Sequence, residues 1–192
     1  MKIFAITGRC GAAPPPPDWR QQLASMLGAK PRRIGVWAEL ALYGALRCMA
    51  DAGEKTLAPE AILLLASRRG PYVATDMVVE QMRDGLPMPL TFLQTQPSQV
   101  LALLAAQLSW RGHACFVAGA MPRKLLHLAG VQTKEEGVLI GWVDEMAGGS
   151  TNWLRLRPDI SLGKEPKDIS ENEIFTHELN HLCVSNTNLQ AL

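Results

Sequence analysis

The most specific chemical pattern in the sequence is the run His177-Glu178-Leu179-Asn180-His181. On a helix its two histidines lie one turn apart and can both bind zinc, while the glutamate can act as general base toward a metal-bound water. A catalytic zinc needs a third protein ligand, and none of the eleven residues after His181 is His, Asp or Glu. The two other histidines are distant in sequence: His113 and His127. The pattern therefore favours a terminal surface helix with two exposed histidines, and a zinc-dependent hydrolase is the alternative.

Four cysteines are the candidate nucleophiles, and they lie far apart: Cys10, Cys48, Cys115 and Cys183. No CxxC pair occurs, so a zinc ribbon is not indicated, and the thiols are interpreted as reduced, as in a cytosolic protein. The segment Gly8-Arg9-Cys10-Gly11 lacks the glycine spacing of a dinucleotide-binding or Walker motif. We therefore expect no cofactor and no resident metal.

The composition indicates one compact domain, with 192 residues, 47% of them hydrophobic and 19% charged. The formal net charge of +1 gives no electrostatic reason to expect binding to nucleic acid or to an acidic membrane. The richest apolar stretch, 100–108, is too short to cross a bilayer, which needs ~20 residues. The N-terminus lacks the apolar region of a signal peptide. We expect a cytoplasmic protein that has a protein partner.

Hydrophobic periodicity predicts strands that alternate with helices. The predicted strands are 2–6, 61–66, 114–118 and 138–143, and the predicted helices are 18–27, 34–52, 75–83, 97–110, 124–128 and 172–183. Two proline-containing stretches, 11–17 and 85–90, are predicted to be loops, and glycines and prolines break regular structure after residue 147. This alternation predicts an α/β protein with a mostly parallel sheet and helices on both faces.

Three stretches in this order resemble one family. Pro31-Arg32-Arg33-Ile34 leads into an alanine-rich helix that ends Ala50-Asp51-Ala52-Gly53. A buried strand then runs into Ala66-Ser67-Arg68-Arg69-Gly70, and a later helix ends Trp110-Arg111-Gly112 directly before the strand ACFVAG. This arrangement is similar to the N-terminal domain of β-ketoacyl synthases, and closest to the chain-length-factor-like branch of aryl polyene pathways.

The resemblance covers residues 1–145 and implies the N-terminal half of a thiolase-like fold. Residues 146–192 are then a divergent C-terminal extension that ends in a short helix. In active synthases the strand after the Arg-Gly turn leads to a cysteine nucleophile at an elbow, and here Met121 occupies that place. A thioether cannot form an acyl thioester, and Cys115 lies inside the strand, six residues earlier. The catalytic histidines of the family belong to a C-terminal half, so the resemblance implies no catalytic residue in this chain.

The resemblance implies a non-catalytic partner, or chain length factor, in polyene or fatty-acid-type biosynthesis. It would form a heterodimer with a full-length ketosynthase through the segment 92–110 and the following strand, and would line the floor of the acyl tunnel. A contact with an acyl carrier protein is left open. The expected interface and tunnel residues are Phe92, Gln94, Gln96, Ser98, Gln99, Ala102, Leu103, Ala105, Cys115 and Phe116. A scaffold subunit without a tunnel role is a further alternative, and zinc content would separate the hydrolase from both.

Overall fold

A computed structural model describes residues 4–86, 88–119, 122–132 and 135–158 of the chain. Five strands are present in these ranges: β1 (Phe4–Ala12), β2 (Ile62–Ser67), β3 (Ala114–Ala118), β4 (Val138–Asp144) and β5 (Ser150–Pro158). Six helices accompany them: α1 (Trp19–Leu27), α2 (Val36–Asp51), α3 (Tyr72–Arg83), α4 (Pro89–Gln94), α5 (Pro97–Gln107) and α6 (Pro122–Gln132). The predicted last helix, 172–183, lies outside the described residues.

The strands form one sheet in the order β1-β5-β4-β2-β3. Strand β2 runs parallel to both β3 and β4, whereas β5 is antiparallel to β4 and to β1. Four of the five strands therefore point in one direction, and β5 opposes them. The predicted α/β class with a mostly parallel sheet is confirmed.

Strand β2 shows why the sheet has helices on both faces. All six of its residues are buried, as expected for a parallel strand covered on both sides. Leu63 and Leu65 face a first cluster built with α1, α2 and α5, and Leu64 and Ala66 face a second cluster that includes Leu125 of α6. The alternation of side chains along the strand separates these two cores.

Helix α2 packs closely on the sheet because of its small residues. A Cβ atom at Gly44 would lie 2.1 Å from Oγ1 of Thr151 and 2.3 Å from the ring of Trp153. The Thr151 hydroxyl donates a hydrogen bond to the carbonyl oxygen of Leu40 at 2.8 Å, so strand β5 and the helix are also joined by a polar contact. The predicted helix 34–52 is confirmed, and Gly53 follows it with a φ of 69°.

Strand β1 and the stretch 85–90, which was predicted to be a loop, differ from the sequence-based expectation. Strand β1 continues past Ile6 to Ala12, because Thr7-Gly8 forms an irregularity in its register with β5 rather than an end. Helix α4 begins inside the stretch predicted as loop, since Pro89 stands in its first turn, where its missing amide hydrogen costs nothing.

Strand β5 was not predicted at all. It lies between β1 and β4 and pairs with both of them. Its sequence carries buried polar residues that hide the apolar pattern of a strand: Thr151, Asn152 and Arg155. The division of the chain after residue 145 stays a prediction, although β5 extends the sheet itself to residue 158.

Candidate functional site

The exposed large apolar side chains gather on α3, α4 and the loop between them. Of fourteen such side chains among the described residues, ten lie between residues 72 and 93. Helix α3 buries only Ala74, and α4 buries no residue. A cluster of this kind on a globular protein marks a binding surface. We call it the α3–α4 surface: Tyr72, Val73, Met77, Val79, Met82, Leu86, Met88, Leu90, Phe92 and Leu93.

Strand β3 is an edge of the sheet, because β2 is its sole neighbour among the described strands. Phe116 points into the first core and meets Trp37 edge-on, with ring centroids 5.7 Å apart. Cys115 points the other way, against the second core. The two predicted site residues of this strand thus lie on opposite faces of the sheet, and one side of the strand's backbone pairs with no other strand in the described part of the chain.

Helix α5 connects the α3–α4 surface to this edge, since it contacts both α4 and β3. Three predicted site residues lie on its exposed face: Ser98, Gln99 and Ala102. Two others, Leu103 and Ala105, are half-buried and pack against the first core. The structure therefore distinguishes an outward face of α5 from an inward one, which the sequence does not.

The predicted residues of α4 also divide into two groups. Phe92 is 55% exposed and belongs to the α3–α4 surface. Gln94 is half-buried, and its Nε2 atom donates a hydrogen bond to the carbonyl oxygen of Arg33 at 3.0 Å. Gln96 is also half-buried, and its Nε2 atom donates to Oγ1 of Thr95 at 2.9 Å. Gln94 therefore ties α4 to the loop before α2.

Two polar residues beside the α3–α4 surface were missed by the sequence analysis. The hydroxyl of Ser67, at the end of β2, accepts a hydrogen bond from the amide of Gly70 at 2.8 Å, and this bond shapes the turn into α3. The carboxylate of Glu145, just after β4, accepts a hydrogen bond from the backbone amide of Val73. Burial raises the pKa of Glu145. An acidic residue directly after a buried strand was the available signal for it.

The described residues offer little for covalent or metal chemistry. Burial raises the pKa of the Cys10 thiol to about 11 and that of Cys48 to about 12, so both are protonated and poor nucleophiles at neutral pH. No group of His, Cys, Asp and Glu that could hold a metal occurs within the described ranges. Met121 and the run 177–181 lie outside the described residues.

A pocket opens where strands β2 and β3 begin. It is away from the α3–α4 surface, because α3 follows the other end of β2. The residues around it are Pro59, Glu60, Ala61, Ile62, Gly112, His113 and Gln132.

None of the helices in the described part of the chain has the length and apolar character that a membrane span requires. The α3–α4 surface with the β3 edge is the candidate site, because its exposed apolar side chains are suited to binding another protein.

Comparison with known proteins gives a fold but no sequence relative. No protein-family profile and no curated protein sequence matches the chain. A chain of the ketosynthase (ApeO) in complex with its chain length factor (ApeC) from Xenorhabdus doucetiae is 14% identical, with a TM-score of 0.56 over 84% of this chain and 81% of that one. The ishigamide ketosynthase/chain length factor has 12% identity and a TM-score of 0.60 over 84% of this chain and 59% of that one.

A third solved structure, AntDE:AntF, is described as a type II polyketide synthase acyl-carrier protein in complex with its ketosynthase bound to the hexaketide. It has 7% identity and a TM-score of 0.58, covering 84% of this chain and 64% of that one. The chain thus spans less than two thirds of two of these three matched chains. At such identities the likeness shows the fold, which is the N-terminal half of the thiolase-like fold of ketosynthases.

Proposed function

We propose that this chain is a non-catalytic, cytoplasmic subunit that forms a heterodimer with a full-length ketosynthase. The observation that carries the proposal is the joint position of two unpartnered features in a ketosynthase-like fold. The α3–α4 surface exposes ten large apolar side chains, and the β3 edge lies beyond the adjoining α5. The resemblance found in the sequence assigns pairing to residues 92–110 and the following strand, which include the end of the α3–α4 surface, α5 and β3. Solved neighbours of the fold are described as complexes between a ketosynthase and a chain length factor.

Two kinds of contact would form the heterodimer. A strand of the partner would add to the unpaired backbone side of β3, so that main-chain hydrogen bonds continue the sheet. The α3–α4 surface would lose its contact with water against apolar residues of the partner, which supplies most of the free energy of association. An unprotected apolar edge strand also tends to aggregate, and the partner would cover it.

The proposed subunit contributes no nucleophile, because Met121 stands where the family has its catalytic cysteine. Its contribution would be steric. The exposed side chains of Phe92, Ser98 and Ala102 would close the far end of the partner's acyl tunnel, and their volumes would set the product length in polyene or fatty-acid-type biosynthesis. A direct contact with acyl carrier protein is compatible with this arrangement but is not needed for it.

Co-expression of the chain with a tagged full-length ketosynthase tests the proposal. The wild-type chain should be retained with the synthase and elute with it as one heterodimer in size-exclusion chromatography. Met82→Asp places a charge on the α3–α4 surface at a side chain that is 66% exposed, and it should abolish retention. Val131→Asp is the matched control, since Val131 is 71% exposed but lies on α6 at the other face of the sheet.

Retention of the control variant Val131→Asp by the ketosynthase, together with loss of retention for Met82→Asp, would support the proposal. A wild-type chain that remains a well-behaved monomer and ignores the synthase would contradict it. A heterodimer whose products do not depend on the side chains of α4 and α5 would instead favour a scaffold subunit.

A further inference from the structure

Helix α3 is fixed to the protein mainly through its first turn. Its one buried residue is Ala74, in that turn, and along its length it packs chiefly against α4. Just before it, the Ser67 hydroxyl and the amide of Gly70 fix the turn that leaves β2. The contacts at the start of α3 therefore contribute to the orientation of the α3–α4 surface, together with the hydrogen bond that joins Gln94 of α4 to Arg33.

Glu145 supplies the side chain that joins this start to the rest of the protein. Its carboxylate accepts a hydrogen bond from the amide of Val73, the second residue of α3, and lies beside the amide of Trp37, the second residue of α2. The first amides of a helix have no partner within the helix, and the positive end of the helix dipole favours a carboxylate there. One side chain after β4 thus satisfies an amide in the first turn of α3 and lies beside the first turn of α2.

On the side of helix α2, Trp37 is held firmly in place. Trp37 is 2% exposed, its indole Nε1 donates to the carbonyl oxygen of Val143 at 3.2 Å, and its ring packs against Phe116 of β3. Glu145 itself comes two residues after Val143, just past the end of β4. The carboxylate therefore ties α3, which is weakly anchored, to the frame that also holds the β3 edge.

We propose that Glu145 is a positioning residue that fixes the α3–α4 surface relative to the β3 edge. The tether to α3 stands on the hydrogen bond to Val73 alone, whereas its consequence for pairing with a synthase rests on the proposed function. The length of the side chain matters, because the carboxylate must reach the Val73 amide from a backbone position just after β4. Glutamine retains that length and an amide oxygen with two lone pairs, while aspartate is one methylene shorter and alanine has no acceptor.

Hydrogen–deuterium exchange of the full chain, read by mass spectrometry, tests the tether. Glu145→Ala should raise exchange in the peptide 72–83 by about tenfold, because the start of α3 loses the charged acceptor of its Val73 amide. The peptides 62–67 and 138–144 should exchange as in the wild type. Glu145→Gln should restore most of the protection, and Glu145→Asp, which serves if the alanine variant does not fold, should restore little of it. Glu80→Ala, an exposed glutamate on α3, is the control and should leave exchange unchanged.

Unchanged exchange of 72–83 in Glu145→Ala would overturn the inference, and so would an equal rise in 62–67, since Glu145 would then act on global stability. The consequence for pairing is read separately, as retention of each variant by the co-expressed ketosynthase. Glu145→Ala should be retained more weakly than wild type and Glu145→Gln nearly as well. If the tether is lost but retention is unchanged, Glu145 does not position the surface for a partner. If the wild-type chain is not retained either, the proposed function fails while the exchange result still stands.

Discussion

Gly44 shows at the scale of one residue how tightly the sheet and α2 are fitted together. The space that its Cβ would occupy is filled by Oγ1 of Thr151, 2.1 Å away, and by the ring of Trp153. Both neighbours are held in place, because the Trp153 indole donates to the Thr151 hydroxyl at 3.0 Å and that hydroxyl donates onward to the carbonyl oxygen of Leu40. A methyl group can enter only if the helix and strand β5 separate.

We therefore expect Gly44→Ala to lower the free energy of unfolding by about 1–3 kcal/mol, even though alanine is the better helix former. Gly130→Ala is the matched control, since Gly130 is also a helical glycine and its Cβ would meet no atom within 4 Å. That variant should be neutral or stabilised by up to about 1 kcal/mol. Thermal unfolding of both variants checks the prediction. Equal effects at the two positions would mean that α2 and β5 are not packed as described.

At the scale of elements, the strands and helices that the sequence predicted are those whose burial follows a simple pattern. Strand β2 consists of apolar residues up to Ser67, and α2 places its small and apolar residues at helical spacing. Strand β5 could not be found in this way, because Arg155 is fully buried within it. Its Nε atom lies 3.2 Å from both carboxylate oxygens of Glu54, a residue 101 positions earlier. A partner so distant leaves no local trace in the sequence.

Only part of the candidate site could be predicted from the sequence. The sequence and the family resemblance indicated the segment from Phe92 onward, whereas the exposure of α3 follows from how few contacts it makes with the sheet. Which residues of α5 face outward depends on how that helix rests on α2. The structure shows that Ala102 is exposed and Leu104 is fully buried.

This orientation of α5 makes the proposed tunnel role testable. In the reconstituted heterodimer, Ala102→Phe should shorten the acyl products, because a phenyl ring would fill space where the growing chain ends and packed interiors have few voids. Ala50→Phe is the matched control, since Ala50 is an exposed alanine near the end of α2, and it should leave product length unchanged. The measurement is the product-length distribution of pairs that remain intact. An unchanged distribution for every bulky substitution between Phe92 and Ala105 would show that the tunnel role is wrong.

The described part of the molecule has a sheet with both faces covered and one side whose large apolar side chains are exposed. The side formed by the α3–α4 surface, α5 and β3 is continuous through contacts between neighbouring elements. Two of its predicted site residues, Gln94 and Gln96, make hydrogen bonds within the chain. The apolar side chains beside them remain exposed. This side is therefore held in place by hydrogen bonds within the chain, while its large apolar side chains still face water. A binding subunit needs that combination, because a preorganised surface loses less entropy on association.

A molecule of this kind should not condense acyl groups by itself. The thiols of Cys10 and Cys48 are held protonated by burial, Cys115 is half-buried within β3, and Met121 cannot form a thioester. Incubation of the purified chain with acyl-loaded and malonyl-loaded carrier protein should therefore yield no ketoacyl product, while addition of the paired ketosynthase should restore synthesis. A Cys115→Ser variant distinguishes between two explanations for any condensing activity found in the chain alone. Turnover by the chain alone that disappears in this variant would identify Cys115 as a nucleophile and the subunit as an enzyme, whereas turnover that persists would point to contaminating synthase.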